Sequence, residues 1–190
     1  GHFANPRIDD DSGYTLTGVC GFVPFVKTAA AGPPRNDSSG WFGMKFTTGP
    51  NAIVIKSLGR IFLTGNSGTH NIKIVRASDG TTVASVAVTM TAGTTGFQYH
   101  DLATPVTLPA NTAYYLVSQE FSGGDYWYDS DATINARDVA AINGPAWSPD
   151  ATTGWTVGTA TDHSYVILDF KYDLAAPGEY SVVPNHLGYE

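Results

Sequence analysis

The feature that most constrains this chain is a hydrophobic period of two, broken about every ten residues by Gly, Asp, Asn, Ser or Pro. In Trp41-Phe42-Gly43-Met44-Lys45-Phe46-Thr47 the residues Phe42, Met44 and Phe46 share one face, while Trp41, Gly43 and Lys45 share the other. Such a segment is a strand that buries one face and needs a second layer over it. Ile53 to Leu63 also alternates, but its phase changes around Ser57-Leu58-Gly59, which predicts a bulge or bend within a long strand. Asn71 to Thr89 reads as a hairpin with Ile72 and Ile74 inward on one arm, and Val86 and Val88 inward on the other. Ser78-Asp79-Gly80 supplies its turn, because Asp-Gly accepts positive φ. Further strands are expected at Phe97 to Leu102, Ala113 to Glu120, Asp125 to Tyr128 and Ser164 to Tyr172. The stretch 129–162, with Trp147 and Trp155, reads as a long turn-rich loop in which Asn135 to Ile142 forms at most one helical turn.

Many strands and no convincing helix imply an all-β domain, a two-sheet antiparallel β-sandwich of jelly-roll type with about eight to ten strands. One such domain accounts for all 190 residues, with 1–17 and 173–190 as linkers or edge-strand extensions. Composition agrees: only 14% of residues are charged, and Gly and Thr are abundant, which suits short strands and tight turns rather than a helical bundle.

The formal net charge is −7 and the 10 Lys and Arg form no cluster, so neither a nucleic acid nor an anionic membrane surface is an expected partner. No apolar run approaches the roughly 20 residues of a membrane-spanning helix. The first residues, Gly1 to Pro6, lack the basic-then-apolar pattern of a signal peptide. The single cysteine, Cys20, precludes an intrachain disulfide and sits in an apolar run, where an inert buried thiol is expected.

Three Gly-containing polar clusters are the places where chemistry can reside: 35–41, 65–70 and 119–129. Sugar recognition needs an aromatic face against the C–H face of a ring, with carboxylates, amides or Arg bonding the hydroxyls. The clusters hold such groups in Arg35, Asp37, Trp41, Asn66, His70, Glu120, Asp125 and Trp127, which are the candidate carbohydrate-binding residues. In an extended 125–129 segment, alternation places Asp125, Trp127 and Asp129 on one face and Tyr126 and Tyr128 on the other. A core position for Trp127 is an equal reading, because most aromatics of a sandwich are core. Trp41 falls on the outer face, where the 129–162 stretch or the N-terminal arm is expected to cover it, with an Arg35–Asp37 ion pair pinning the loop. Catalysis is not expected. Glu120 and Asp125 resemble a glycosidase pair only in composition, the histidines lack metal-ligand spacing, and no Gly-x-Ser-x-Gly elbow occurs. No cofactor is required; a structural calcium is conceivable, with Asp9-Asp10-Asp11, Asp37 and Asp125 as candidate ligands. The run from Asp129 to Asp138 departs from a twelve-residue calcium loop in its missing Gly and its early final acid.

The runs Arg35-Asn36-Asp37, Gly40-Trp41-Phe42-Gly43-Met44-Lys45-Phe46, Leu58-Gly59-Arg60 and Gly65-Asn66-Ser67-Gly68-Thr69-His70 together resemble a bacterial β-sandwich module found beside glycoside hydrolases. Pro105 to Leu108, Thr112 to Glu120 and Ser122 to Asp129 extend the resemblance, which covers roughly residues 20–172. It implies an extracellular accessory module fused to a catalytic domain; a polysaccharide or oligosaccharide is the expected partner, and the chain is expected to be a monomer. It carries no established binding residues. Two other classes stand beside it: a structural or protein-interaction spacer, and, less favoured, a sandwich-fold hydrolase or lyase.

Overall fold

The computed structural model describes residues 21–175. Within them the chain forms β1 (Val23–Pro24), β2 (Val26–Ala30), β3 (Pro34–Arg35), β4 (Gly40–Thr48), β5 (Ile53–Ile61), β6 (Thr69–Arg76) and β7 (Thr82–Thr89). There follow β8 (Phe97–Leu108), β9 (Ala113–Glu120), β10 (Trp127–Tyr128), β11 (Thr133–Ala136), β12 (Ala140–Ser148), β13 (Thr156–Val157) and β14 (Leu168–Leu174). A six-stranded sheet in the order β13-β12-β4-β9-β6-β7 packs against a four-stranded sheet in the order β1-β14-β5-β8. Two short ribbons, β3–β10 and β2–β11, complete the set, and every pairing is antiparallel. The sandwich expectation holds, with more strands than the eight to ten expected.

The core follows the alternation. Phe42, Met44 and Phe46 of β4, Ile72 and Ile74 of β6, and Leu116 of β9 meet Ile55 and Leu58 of β5 and Leu168 and Phe170 of β14, all buried. Each such side chain contributes about 1.5–3 kcal/mol relative to exposure. The predicted change of phase in β5 is a register shift between Ile55 and Ser57, and Gly80 turns the hairpin at a φ of 74°. The outer face of the six-stranded sheet is covered as expected for Trp41. Trp41, Val75, Tyr115, Val117, Ala146 and Ala151 form a second apolar cluster, with Trp155 stacked on Tyr115 at 3.7 Å between centroids.

Two expectations are overturned. The 129–162 stretch is not one long loop, since it holds β11, β12 and β13, and Asn135 to Ile142 contains no helical turn: it spans the end of β11 and the start of β12, which pairs along the length of β4. A register shift between Ile142 and Gly144 hides the alternation of β12 by flipping its parity, so that Ile142 and Trp147 point the same way although five residues apart. Residues 164–167, expected within the last strand, lie outside it; Val166 there takes a φ of 44°. Cys20, Asp9-Asp10-Asp11, the 1–17 segment and nearly all of 173–190 lie outside the described residues.

Candidate functional site

The three polar clusters converge at one end of the sandwich. Inward parity runs on past the apolar core there: Leu58 is followed by Arg60 on β5, Leu116 by Ser118 and Glu120 on β9, and Ile74 and Ile72 are preceded by His70 on β6. Continuing the pairing of Ile72 with Ser118 sets His70 opposite Glu120. Charged side chains thereby enter a low-dielectric space, which they tolerate only as bonded pairs.

They are bonded throughout. Arg60, with no solvent exposure, donates from Nε to Glu120 Oε1 at 2.9 Å and from Nη2 to Glu120 Oε2 at 3.2 Å. Its remaining donors reach the Ile61 carbonyl at 3.1 Å, Asn66 Oδ1 at 2.9 Å and the Tyr126 carbonyl at 3.1 Å. Ser118 Oγ donates to Glu120 Oε1 at 3.0 Å, and His70 Nδ1 lies 3.1 Å from Glu120 Oε2. On its other side, His70 Nε2 is 2.8 Å from Asp125 Oδ2. Asp125 also accepts the Ser67 and Gly68 N–H groups at 3.0 and 2.8 Å. Burial pushes the Asp125 carboxyl up, but the His70 and backbone hydrogen bonds outweigh it and hold the group below its ordinary 3.8. The four charges of Arg60, Glu120, His70 and Asp125 sum to zero when His70 is protonated.

Next to this network lies the β3–β10 ribbon, in which Arg35 pairs with Trp127 and Pro34 with Tyr128. The Arg35 guanidinium sits 5.0 Å above the Trp127 ring. It donates to Asp37 Oδ1 at 2.7 Å, to both Asp129 oxygens at 3.3 Å and to Ser38 Oγ at 3.2 Å. The Arg35 hydrogen bond lowers the exposed Asp37 carboxyl below its usual value. Trp127 itself is fully buried, stacked on Phe42 at 4.6 Å and edge-on to Tyr165 at 6.2 Å, and its Nε1 has no hydrogen-bond partner.

Beside Arg35 the surface sinks into a groove of about 400 Å³ lined by Phe42, Trp147, Tyr165, Arg35, Ser38 and Ser39. Trp147, paired in register with Phe42 and 6.2 Å from it between rings, faces the groove only because the β12 bulge turned it. Tyr165 is held by its N–H on the Gly43 carbonyl at 3.1 Å, next to the strained Val166, whose N–H bonds the Tyr128 carbonyl at 2.9 Å. Positive φ at a β-branched residue costs on the order of 1–3 kcal/mol and persists only where the surroundings fix it. Two more depressions flank this end. One is about 390 Å³ with Pro34, Leu63, Thr64, Tyr126 and Tyr128; the other is about 380 Å³ with His70, Asp125 and the exposed Phe121 at its edge.

The structure thus sorts the candidate residues. Asn66, His70, Glu120 and Asp125 belong to one buried network with Arg60; Arg35 and Asp37 belong to the ribbon over Trp127; Trp41 lies apart, under Lys73 at 4.5 Å on the outer face of the six-stranded sheet. The expected common face of Asp125, Trp127 and Asp129 does not form. Only Trp127 and Tyr128 are extended, and Asp125 turns toward Ser67 and Gly68. Trp127, Trp41, Glu120, Asn66 and His70 are all buried, so none presents a ring face or an open polar group to a sugar. Phe42, Trp147, Tyr165, Ser38 and Ser39, which line the groove, and Arg60 were not among the expected site residues. Arg60 has a signal in the inward parity of Leu58 beyond the bulge, and Trp147 has none without its pairing to β4. Among the described residues no group of three or more His, Cys, Asp or Glu is placed to hold a metal ion. The carboxylates of Asp37 and Asp125 are engaged by Arg35 and His70.

Fold and site together define an antiparallel β-sandwich domain whose loop end carries a buried charge network beside an aromatic-lined groove. The family model for a domain of unknown function, DUF4082, matches residues 28–166, and the chain belongs to that family. No curated protein matches it.

Proposed function

We propose that this domain is a non-catalytic glycan-binding module, accessory to a polysaccharide-degrading enzyme outside the cell, and that its sugar lies in the groove of Phe42, Trp147 and Tyr165. The observation that carries the reading is the pairing of the half-buried Trp147 and Tyr165 rings, backed by the buried Phe42, with a polar edge of Arg35, Ser38 and Ser39 in a space of about 400 Å³. Ring faces suit the apolar face of a pyranose, and the Arg and Ser groups suit its hydroxyls. Arg35 is held in place by Asp37, Asp129 and Ser38, so little ordering entropy remains to be lost on binding. Because Asp37 and Asp129 neutralise it, a neutral glycan fits better than a highly acidic one. The accessory role and the extracellular setting rest on the sequence resemblance, and a tethered module of this kind raises local substrate concentration for its partner. Hydrolysis by Glu120 is disfavoured, since both its oxygens are taken by Arg60, Ser118 and His70.

Affinity electrophoresis against a panel of neutral and acidic polysaccharides, followed by calorimetry, tests this. Retardation by at least one neutral polysaccharide is expected, abolished by Trp147→Ala and kept by Trp155→Ala, whose ring stacks on Tyr115 away from the groove. A panel with no retardation defeats the reading. So does a Trp147→Ala protein that is folded and binds as the wild type. The burial of Trp41 and Trp127 favours a second reading, a spacer or protein-interaction domain, which expects the empty panel.

A further inference from the structure

His70 has both ring nitrogens turned toward acceptors. Nε2 is 2.8 Å from Asp125 Oδ2, while Nδ1 is 3.1 Å from Glu120 Oε2 and 3.1 Å from the Gln119 carbonyl oxygen. A neutral imidazole has one N–H and one bare nitrogen, so either tautomer would set a lone pair against an oxygen. Only the doubly protonated ring satisfies the site. The charged groups facing it are Glu120 from β9, Asp125 from the loop after β9 and Arg60 from β5; β7 contributes the apolar Val88 opposite it. Arg60 already matches Glu120 with two hydrogen bonds, which leaves His70 as the cation for Asp125.

Asp125 anchors the 121–126 loop, and that loop is tied to the edge of the groove. Gly123 N–H donates to the Asn36 carbonyl at 2.7 Å, Asn36 Nδ2 donates to the Gly124 carbonyl at 3.0 Å, and Ser122 N–H donates to Ser39 Oγ at 2.9 Å. We propose that His70 is a proton-operated latch: as an imidazolium it fastens the 121–126 loop to the sheet end, and on losing a proton it releases Asp125 and loosens the Ser39 edge. Its effect on ligand binding rests on the groove reading above; the latch itself does not.

The direction follows from linkage. Burial lowers the His70 pKa, and Arg60 adds to that, but the hydrogen bonds and charges of Glu120 and Asp125 raise it further, leaving it above the ordinary 6.5. The fastened state therefore has its full advantage below pH 6.5 and loses it as pH rises through the elevated value. Between those two values the opening equilibrium grows about tenfold per pH unit.

The test is a titration of the full chain from about pH 5 to about pH 9, reading the His70 ring by NMR and the amide exchange of Ser67, Gly68, Ser122 and Gly123 corrected for intrinsic rates. A His70 pKa above 6.5, with loop protection lost in step with it, is the expected result. His70→Gln should keep the far-UV circular dichroism of the wild type and show no pH step in opening. A His70 that titrates at or below 6.5, or loop protection that ignores its titration, overturns the latch. Should the variant not fold, the wild-type co-titration decides alone. For any polysaccharide that retards the wild type, binding should weaken in the same window. Constant binding while the loop opens overturns the link to the groove, and loop opening with no glycan bound upholds the latch while defeating the groove reading.

Discussion

Arg60 is buried with five N–H donors, and each has an acceptor: two on Glu120 and one each on Asn66 and the Ile61 and Tyr126 carbonyls. A guanidinium is the only side chain that fits this set, because an ammonium offers three donors from a single point. The pair gains little against a well-packed apolar replacement, but breaking it is costly, since Glu120 would remain charged and buried. Arg60→Met is therefore expected to lose about 3–5 kcal/mol in chemical denaturation. Adding Glu120→Leu to Arg60→Met should recover part of that loss, because His70 and Asp125 still neutralise one another. A double variant as unstable as the sum of the two single ones would show that the pair is not coupled. At this scale the sequence displayed the residues of the network without showing that they bond to one another. Asn66, His70, Glu120 and Asp125 drew notice as polar side chains among glycines, where binding is one explanation and mutual neutralisation another. Composition cannot separate the two; parity can, since all three strand-borne members of the network continue an inward-facing series.

Among the elements, β4 explains most of the architecture, and Gly43 explains how β4 is received. A Cβ on Gly43 would stand 1.9 Å from the Leu116 carbonyl oxygen of β9, so the neighbouring backbone occupies the space of any side chain. Gly43 also accepts the Tyr165 N–H, which positions one wall of the groove. Gly43→Ala should therefore part β4 from β9 near the middle of the six-stranded sheet. The expected loss is about 4 kcal/mol or more, at the extreme of single substitutions, measured as a fall in the denaturation midpoint. A loss below about 1 kcal/mol would mean that the sheet yields freely there. The strands read correctly from sequence are those whose alternation is plain, β4, β6, β7 and β9, the β6–β7 ladder shifting register only between Ile74 and Val75, together with β5, whose Ser57-Leu58-Gly59 run signalled the shift between Ile55 and Ser57. The longest strand missed, β12, has its bulge between Ile142 and Gly144, in a run without β-branched residues other than Ile142. Short strands such as β3, β10 and β13 are set by their partners and carry no period of their own. The groove was illegible for the same reason, since Trp147 and Tyr165 come from β12 and from the irregular segment before β14.

For the molecule as a whole, the shifted groups make stability a peaked function of pH. Asp169 is buried, accepting the Val26 and Phe170 N–H groups at 2.9 Å each and the Tyr99 hydroxyl at 2.6 Å; burial dominates and pushes its carboxyl from 3.8 up to about 6. An acid with a raised folded-state pKa stabilises fully below its unfolded value, and loses that contribution as pH climbs through the folded one. Stability is thus expected to fall between pH 3.8 and about 6, by on the order of 3 kcal/mol. His70 continues the fall above pH 6.5. Asp125 and Asp150 act in the opposite sense, their folded-state pKa values lying below 3.8, with Asp150 at about 2 through backbone hydrogen bonds from Thr153 and Thr152. Their contribution is present above 3.8 and disappears as pH drops. The maximum therefore belongs near pH 4–5, below the common range of pH 5–8. Calorimetric melting across pH 2–9 checks the profile, and Asp169→Asn identifies its cause. The amide keeps an oxygen for the two backbone donors and an NH₂ for the Tyr99 oxygen, so the fall between pH 4 and 6 should flatten and stability at pH 7 should rise. A wild-type maximum at pH 7, or a profile unchanged by Asp169→Asn, would show that the carboxyl is ionised in the folded state at ordinary cost, its three hydrogen bonds outweighing burial.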